Sequence, residues 1–349
     1  MSAGLAIVVL SFNARAHIDV CLGAALAQTR QARVIVADNG SSDETLAYVR
    51  ERWPTVETLD LGANHGFAGG YNRALATIDA EWLVLLNSDA VLAPDWCARL
   101  LDFAGTHPHA AILGGSLLFW RDGGPTEIAQ SLGSHVTDAG TAYEVGWGQP
   151  IADLPAKLLD PHATAAIPGA ALLIRRSTFW SLGGFDPGYF AYLEDVDLGW
   201  RAWLTGDEVW VVPGARAWHA YGASAGGRAS PLRVRCMQRN RYANMIKLLE
   251  APTLVSGLIT SIAYDVYRVL EYATRGDGHA LRALFQGTGE ALMRLPRWWE
   301  ARRRIQRGRK RTDRELREAG LLVPALAALR EYRRLARLGT QSAARVDNP

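Results

Sequence analysis

Two hydrophobic periods alternate along the first hundred residues. The runs 5-LAIVVLS-11, 33-RVIVAD-38 and 82-WLVLLN-87 have almost no polar face, as expected of parallel strands covered on both sides. The third is the most apolar and is expected at the centre of a sheet. Between the first two, His17 to Gln28 carries helical spacing. The stretch 39-NGSSDETLAYVRERWP-54 reads as a helix opened by a Ser41–Glu44 capping box and closed by Pro54. A strand follows at 56-VETLDL-61, then a glycine-rich turn at 66-GFAGGYN-72 and another helix. Pro94 suits the first position of a helix running to about Phe103. Such strand–helix alternation with short connections predicts an α/β layered fold.

Further strands are predicted at 111-AILGGSLLFW-120, 170-AALLIRR-176 and 208-EVWVVP-213. The segment 121–168 is rich in glycine and proline without a period, and no elements are assigned to it. From about Arg233 strand signals stop and helical spacing runs to the end. The chain therefore divides into an α/β part, residues 1–232, and a helical extension, residues 233–349.

Composition narrows the class. The chain has 349 residues, 49% of them hydrophobic, enough to bury a sizeable core. A net charge of +3 gives no case for nucleic acid, and the three cysteines, Cys21, Cys97 and Cys236, form no CxxC or Cys/His cluster. A reducing cytoplasm fits. The N-terminal MSAGLAIVVLSFN lacks a basic leader and reads as a first strand. The apolar run from Ala251 to Tyr264 falls short of the roughly 20 residues of a spanning helix. The chain is expected not to cross a membrane, though it could lie on one.

In an open α/β sheet, ligands bind beyond the carboxyl ends of the strands. Four predicted strands deliver polar groups there: Ser11 and Asn13, Asp38, Asn64 with its glycine-rich neighbour, and Asn87-Ser88-Asp89. Read singly, Asp38 fits a turn or helix start and the glycines fit a plain turn. Asp89, at the end of an apolar strand, suits a hard divalent cation with a diphosphate supplying further oxygens. In 189-YFAYLEDVDLGWRAW-203, Glu194, Asp195 and Asp197 crowd the first turn of a helix stopped by Gly206. One acid satisfies a helix start; the surplus suggests a base, with Asp197 assigned to the helix start. His219 follows the last predicted strand.

Together these segments resemble glycosyltransferase family 2, the inverting enzymes of GT-A fold, and within it the rhamnosyltransferase-like branch. The motifs VVLSFN, VADNGSSDET, NHGFAGGYNRAL, LLNSDAVLAPDW, GAALLIRR, GGFDPGYFAYLEDVDLGWR and VPGARAWH stand in family order from about Ala6 to Lys247. The resemblance implies a nucleotide-sugar-binding fold, a mixed and mainly parallel sheet flanked by helices, with a C-terminal helical extension. It implies that Ser11, Asn13 and Asp38 hold base and ribose. It places Asn64, Gly69 and Asn72 against nucleotide and sugar, and makes Asn87-Ser88-Asp89 the DXD motif. The metal, Mg²⁺ or Mn²⁺, falls to Asp89 and His219. Asp195 is the implied general base, Glu194 shapes the acceptor side, and Tyr192 and Trp200 support it. Asn87 replaces the first Asp of the motif, which leaves the strictness of metal dependence open. The donor suggested is dTDP-L-rhamnose, with UDP- or GDP-hexoses as alternatives. The acceptor suggested is a lipid-linked saccharide or a polysaccharide.

The stretch 294–317 holds eleven Arg/Lys against three Asp/Glu, with Trp298 and Trp299 among them. It reads either as a solvated basic face or as a contact with an anionic membrane. The second reading places the protein in the cytoplasm, peripheral on the inner face of the cell membrane. Two other classes compete with the enzyme. A nucleic-acid binder leaves the strand-end acids unexplained. A non-catalytic nucleotide-sugar-binding scaffold leaves the retention of Asp89, Asp195 and His219 unexplained.

Overall fold

The computed structural model describes residues 4–220 and 230–326. The first half winds β1 (Leu5–Ser11), α1 (Ile18–Leu26), β2 (Arg33–Asp38), α2 (Thr45–Arg52), β3 (Glu57–Asp60), α3 (Gly66–Ala76) and β4 (Trp82–Asn87). Its strands are parallel in the order β4-β1-β2-β3. Next come β5 (Ala90–Leu92), α4 (Trp96–Thr106), β6 (Ala110–Arg121) and β7 (Gly124–Ser131). Then follow β8 (Ser134–Thr137), β9 (Ala142–Glu144), β10 (His162–Ala163), β11 (Ala171–Arg175), α5 (Arg176–Ser181), α6 (Glu194–Thr205) and β12 (Glu208–His219). The chain closes with α7 (Pro231–Leu248), α8 (Ala251–Thr274), α9 (Gly278–Arg307), α10 (Asp313–Glu318) and β13 (Leu322–Val323).

β11 enters antiparallel between β4 and β6, and β12 lies beyond β6, parallel to it. The predicted mixed, mainly parallel sheet is thus formed, with β4 between β1 and β11. Side chains along β1, β2 and β4 alternate between two cores. Ala6, Val8, Ile35, Leu83 and Leu85 meet α3, α6 and α7; Ile7, Val9, Val34, Val84 and Leu86 meet α1, α2 and α4. A sheet covered on both faces needs strands without a polar side, which is the pattern in the sequence.

Local chemistry departs from several expectations. The Ser41–Glu44 capping box does not form. Helix α2 opens at Thr45 behind a left-handed Glu44, and Thr45 gives its N–H and hydroxyl to Asp43, because Ser41 is engaged by Asp38 and Asn13. The capping box that does form is Thr312 with Glu315, at α10. The stretch 66–72 is no separate turn but the opening of α3. Gly66 adopts φ +70°, and a Cβ there would lie 2.4 Å from the Phe190 carbonyl oxygen. β12 runs past Pro213 through a register shift, so His219 ends the strand instead of following it. The unassigned segment 121–168 holds β7 to β10, and β13 pairs with β8 far beyond the last predicted strand.

Asp197 is not a helix-start ornament. It is fully buried and bonded by Arg201 through Nε (2.8 Å) and Nη2 (2.6 Å), by Lys247 Nζ (2.6 Å) and by the Tyr189 hydroxyl (3.3 Å). Arg201 also donates to the Leu182 and Gly184 carbonyls, and Lys247 to Asp186. One carboxylate thus ties α6, α7 and the 182–186 loop together.

Part of the basic run that begins in α9 is spent inside the fold. Arg302 donates to the Ile246 and Leu249 carbonyls, Arg294 to Gly188 and Arg309 to Leu248 and Asp313. The Ile246, Leu248 and Leu249 carbonyls are those that the end of α7 leaves without helical partners. Among the described residues, no helix is long and apolar enough to cross a membrane.

Removing one partner of a buried ion pair strands the others. Asp197→Ala is expected to cost roughly 3–5 kcal/mol, read from denaturant midpoints, with a smaller further loss when Lys247→Met is added. Strictly additive losses would show that Asp197 and Lys247 are not coupled.

Candidate active site

The strand ends meet along one edge of the sheet. Ser11, ending β1, donates its hydroxyl to Asp38 Oδ1 (2.9 Å), ending β2; Ser41 completes the carboxylate through N–H (2.9 Å) and Oγ (2.5 Å). Asn13, at φ 52°, accepts from Ser42 N–H (2.8 Å) and donates its own N–H to Ser41 (2.9 Å). The three residues therefore lock two loops to each other. Asn64 receives the Gly66 N–H (2.8 Å) and the Asn39 amide (3.3 Å) at the start of α3. Gly69 lies one turn on, packed on His65. Asn72 turns away to clamp the backbone of Phe185, donating to its carbonyl (2.7 Å) and accepting its N–H (2.9 Å).

Asp89 and His219 are brought together although 130 positions apart in sequence. β5 pairs with the end of β12, His219 opposite Ala90, and His219 Nε2 stands 3.1 Å from Asp89 Oδ1. The Asn87 amide approaches the same nitrogen at 3.4 Å, and Gln130 of β7 sits on Nδ1 (3.0 Å). Ser88 is buried beside them. A carboxylate and an oriented imidazole suit a divalent cation that takes its remaining oxygens from a diphosphate. Among the described residues no cluster of three or more His, Cys, Asp or Glu stands ready to hold a metal alone, so the donor set fits a shared cation.

The acids of α6 are presented by a strained approach. Phe190, Tyr192 and Leu193 all have left-handed φ (63°, 71° and 66°), a conformation that persists only when neighbours enforce it. α7 enforces it. The Asn240 amide donates to the carbonyls of Tyr189, Ala191 and Tyr192 (3.1, 3.0 and 2.7 Å), and Arg239 donates to Tyr189 (2.5 Å). Asp195 then accepts the Gly169 N–H (2.9 Å) and the Val196 N–H (2.8 Å), yet burial still raises its pKa. Glu194 is 5% exposed, and one of its oxygens has no hydrogen-bond partner. Burial, reinforced by Asp195, pushes Glu194 well above the usual carboxylate range. Tyr192 lies beneath the Arg233 guanidinium, 5.0 Å from ring centroid to carbon, and Trp200 is buried in the core below the acids.

One acid escaped the sequence reading. Glu144, ending β9, receives the hydroxyls of Ser131 (2.5 Å) and Ser134 (2.9 Å) on one oxygen. Burial raises its pKa to about 7, and Asp195 is close enough to add to the rise. β7 thus orients both His219 and Glu144 through adjacent residues, Gln130 and Ser131. No period marks this segment in the sequence; a serine pair converging on one acid is visible only once the strands are paired.

A mixed α/β sheet with acids and a histidine at its carboxyl edge is the architecture of nucleotide-sugar-dependent transferases of GT-A fold. Solved structures agree on the fold. The mannosyltransferase PcManGT from Pyrobaculum calidifontis, in complex with GDP-Man and Mn²⁺, superposes with a TM-score of 0.52 at 18% identity, covering 88% of this chain and 86% of its own. GalNAc-T7 with UDP, GalNAc and Mn²⁺ gives 0.55 at 17% identity over 68% and 47%. The family model "Glycosyl transferase family 2" matches residues 6–183. An N-acetylglucosaminyl-diphospho-decaprenol L-rhamnosyltransferase of Mycobacterium tuberculosis is 32% identical over 244 residues, 65% of this chain and 79% of that one. The rhamnosyltransferase WbbL of Escherichia coli is 24% identical over 223 residues, 61% and 82%. The chain belongs to glycosyltransferase family 2 and is a glycosyltransferase, with rhamnosyltransferases among its relatives.

The Glu144 environment has a consequence for stability. Its folded pKa of about 7 exceeds the ordinary 4.5, so between those values the folded state holds a proton that the unfolded chain releases. Stability therefore falls as pH rises through this window, by no more than roughly 3 kcal/mol from this group. Glu144→Gln keeps the serine contacts and is expected to flatten the fall of melting temperature between pH 5 and 8. An unchanged slope in the variant would assign the titration elsewhere.

Proposed function

We propose that the chain transfers L-rhamnose from dTDP-L-rhamnose, with inversion, to a saccharide carried on a polyprenyl diphosphate, in the synthesis of a cell-surface glycan. The observation that carries the reaction is Asp195: a carboxylate fixed by two backbone N–H groups and made more basic by burial. The relative from M. tuberculosis supports the donor sugar and the kind of acceptor by its name.

The reaction is one displacement. The acceptor oxygen bonds to the anomeric carbon as the bond from that carbon to the diphosphate breaks on the opposite face. Asp195 takes the acceptor's proton. Glu194, whose pKa is raised by burial and by the neighbouring Asp195, shapes the acceptor side. Asp89 and His219 would hold Mg²⁺ or Mn²⁺, which would supply positive charge against that developing on the departing diphosphate. Ser11, Asn13 and Asp38 shape the loops that receive base and ribose, and Asn64, Gly69 and Asn72 shape the segment against the sugar. Tyr192 and Trp200 support the acceptor side, Tyr192 with Arg233 over its ring. The reaction takes place at the inner face of the membrane, where residues 1–232 carry the chemistry; the extension assigned to 233–349 is helical over most of its described part, and its last stretch, 327–349, lies outside the described residues.

Nucleoside-diphosphate release is the test. dTDP-rhamnose with a lipid-linked N-acetylglucosamine acceptor and Mg²⁺ or Mn²⁺ is expected to turn over, and EDTA to slow it. Asp195→Asn is expected to lose roughly 10²- to 10⁴-fold in kcat while binding the donor as before. Turnover from UDP- or GDP-hexoses alone would replace the donor. Tight donor binding without turnover on any acceptor would favour a non-catalytic scaffold.

A further inference from the structure

α8 presents an unusual surface. Val255, Ile259, Ile262, Val266 and Leu270 are between 55% and 67% exposed. Their spacing of four, three, four and four puts them on one face of the helix. None of the residues exposed between Ala251 and Thr274 carries a charge. A 24-residue helix is roughly 36 Å long, so this is a long apolar stripe with nothing over it among the described residues. Scattered exposed aliphatics are ordinary; a continuous uncharged face is not.

The helix cannot leave to span a bilayer. Its other face carries Asp265, which accepts from Gln238 (3.0 Å) and Tyr242 (2.6 Å) and pairs with Arg241, all on α7. Arg268 reaches Gln238 beside them. α8 is therefore fixed to the body of the protein, and its stripe faces outward.

α9, joined to α8 by three residues, continues the theme with a different rim. Phe285, Leu292, Pro296 and Trp299 are exposed at helical spacing, with Arg282 and Arg303 at either end. The exposed charges of α9 are Arg282, Arg297, Arg303, Arg304 and Arg307 against Glu300. This rim decides the occupant. A second copy seated on the same faces would bring one set of arginines against the other. An anionic lipid surface instead meets them with opposite charge, while apolar side chains enter the boundary between headgroups and acyl chains.

We infer that the outward faces of α8 and α9 lie in the plane of an anionic membrane, with the α8 stripe inserted and the α9 arginines on the headgroups. The inference deepens the proposed transfer to a lipid-linked acceptor and rests on it for its purpose, since a docked enzyme meets such an acceptor in two dimensions.

The test is co-sedimentation of the full chain with vesicles of phosphatidylcholine alone, or of phosphatidylcholine with an equal part of phosphatidylglycerol. It is run beside turnover of a short-chain, water-soluble acceptor and beside analytical ultracentrifugation. The protein is expected to pellet with the anionic vesicles and much less with the neutral ones. I259Q/I262Q/V266Q and R303Q/R304Q/R307Q are each expected to lose roughly tenfold or more in partitioning, with turnover of the soluble acceptor kept. Protein that stays in solution with anionic vesicles, or an α8 variant that binds as well as wild type, overturns the inference. So does a wild-type dimer that the α8 variant dissociates, which would make the face a contact between copies. Vesicle binding that follows the expected pattern without turnover of any acceptor supports the surface and removes the proposed reaction instead.

Discussion

The buried charge of Asp197 sets the terms for the part of the molecule that carries the candidate site. A carboxylate with no exposure is tolerable only if its lone pairs are taken up by cations and donors held in place. Arg201 comes from the same helix, one turn on, but Lys247 comes from α7. The pairing forces α7 against α6, and α7 then has Asn240 and Arg239 at the height of the Tyr189–Leu193 carbonyls. Those contacts hold three left-handed residues that no local preference would keep. The strain is relieved nowhere within the loop; it is maintained from a helix fifty residues away. Asp195 inherits its position from this arrangement.

Three carboxylates within four positions thus reach three different states. Asp197 is an anion balanced by two cations. Asp195 is held by N–H dipoles, which favour its charge, against burial, which opposes it. Glu194 has burial that a backbone hydrogen bond and the distant charge of Arg239 only partly offset, and an oxygen with no partner. Their residue types barely differ; their neighbours do all the sorting. A base needs the middle condition, since a fully paired carboxylate has no basicity left to use and an uncompensated one stays protonated.

How much of this was legible depends on the range of the interaction that made it. The apolar strands β1, β2 and β4 and the inner place of β4 follow from patterns within six or seven residues, and they appear as read. The strand-end polar groups gather at one edge because the strands are parallel, which the alternation already implied. The failures are of longer reach. Ser41 could cap α2 as its spacing suggests, but Asp38 at the end of β2 and Asn13 in the loop after β1 claim it. Asp197 could serve a helix start, but Lys247 claims it from fifty residues on. β7 to β9 have no period to read because their order comes from pairing with β6 and with one another, so Glu144 stayed hidden among glycines and prolines.

The basic run of α9 shows the same limit from the other direction. Counted along the sequence, its arginines are one population with one meaning. In the fold they divide. Arg294, Arg302 and Arg309 close the exposed carbonyl ends of α7 and the Gly188 loop, work that needs a planar donor with several N–H groups and not merely a charge. Only those left outside, such as Arg303, Arg304 and Arg307, can act on a partner. The apolar residues divide in a complementary way: Trp298 enters the core that contains Leu249 and Leu316, while its neighbour Trp299 faces out. The signal for a membrane surface therefore moves from the charge run, where the sequence puts it, to an uncharged helix face with a thin basic rim beside it. That arrangement suits an enzyme fixed to its acceptor's plane, because apolar insertion sets depth while a few arginines set which leaflet is preferred.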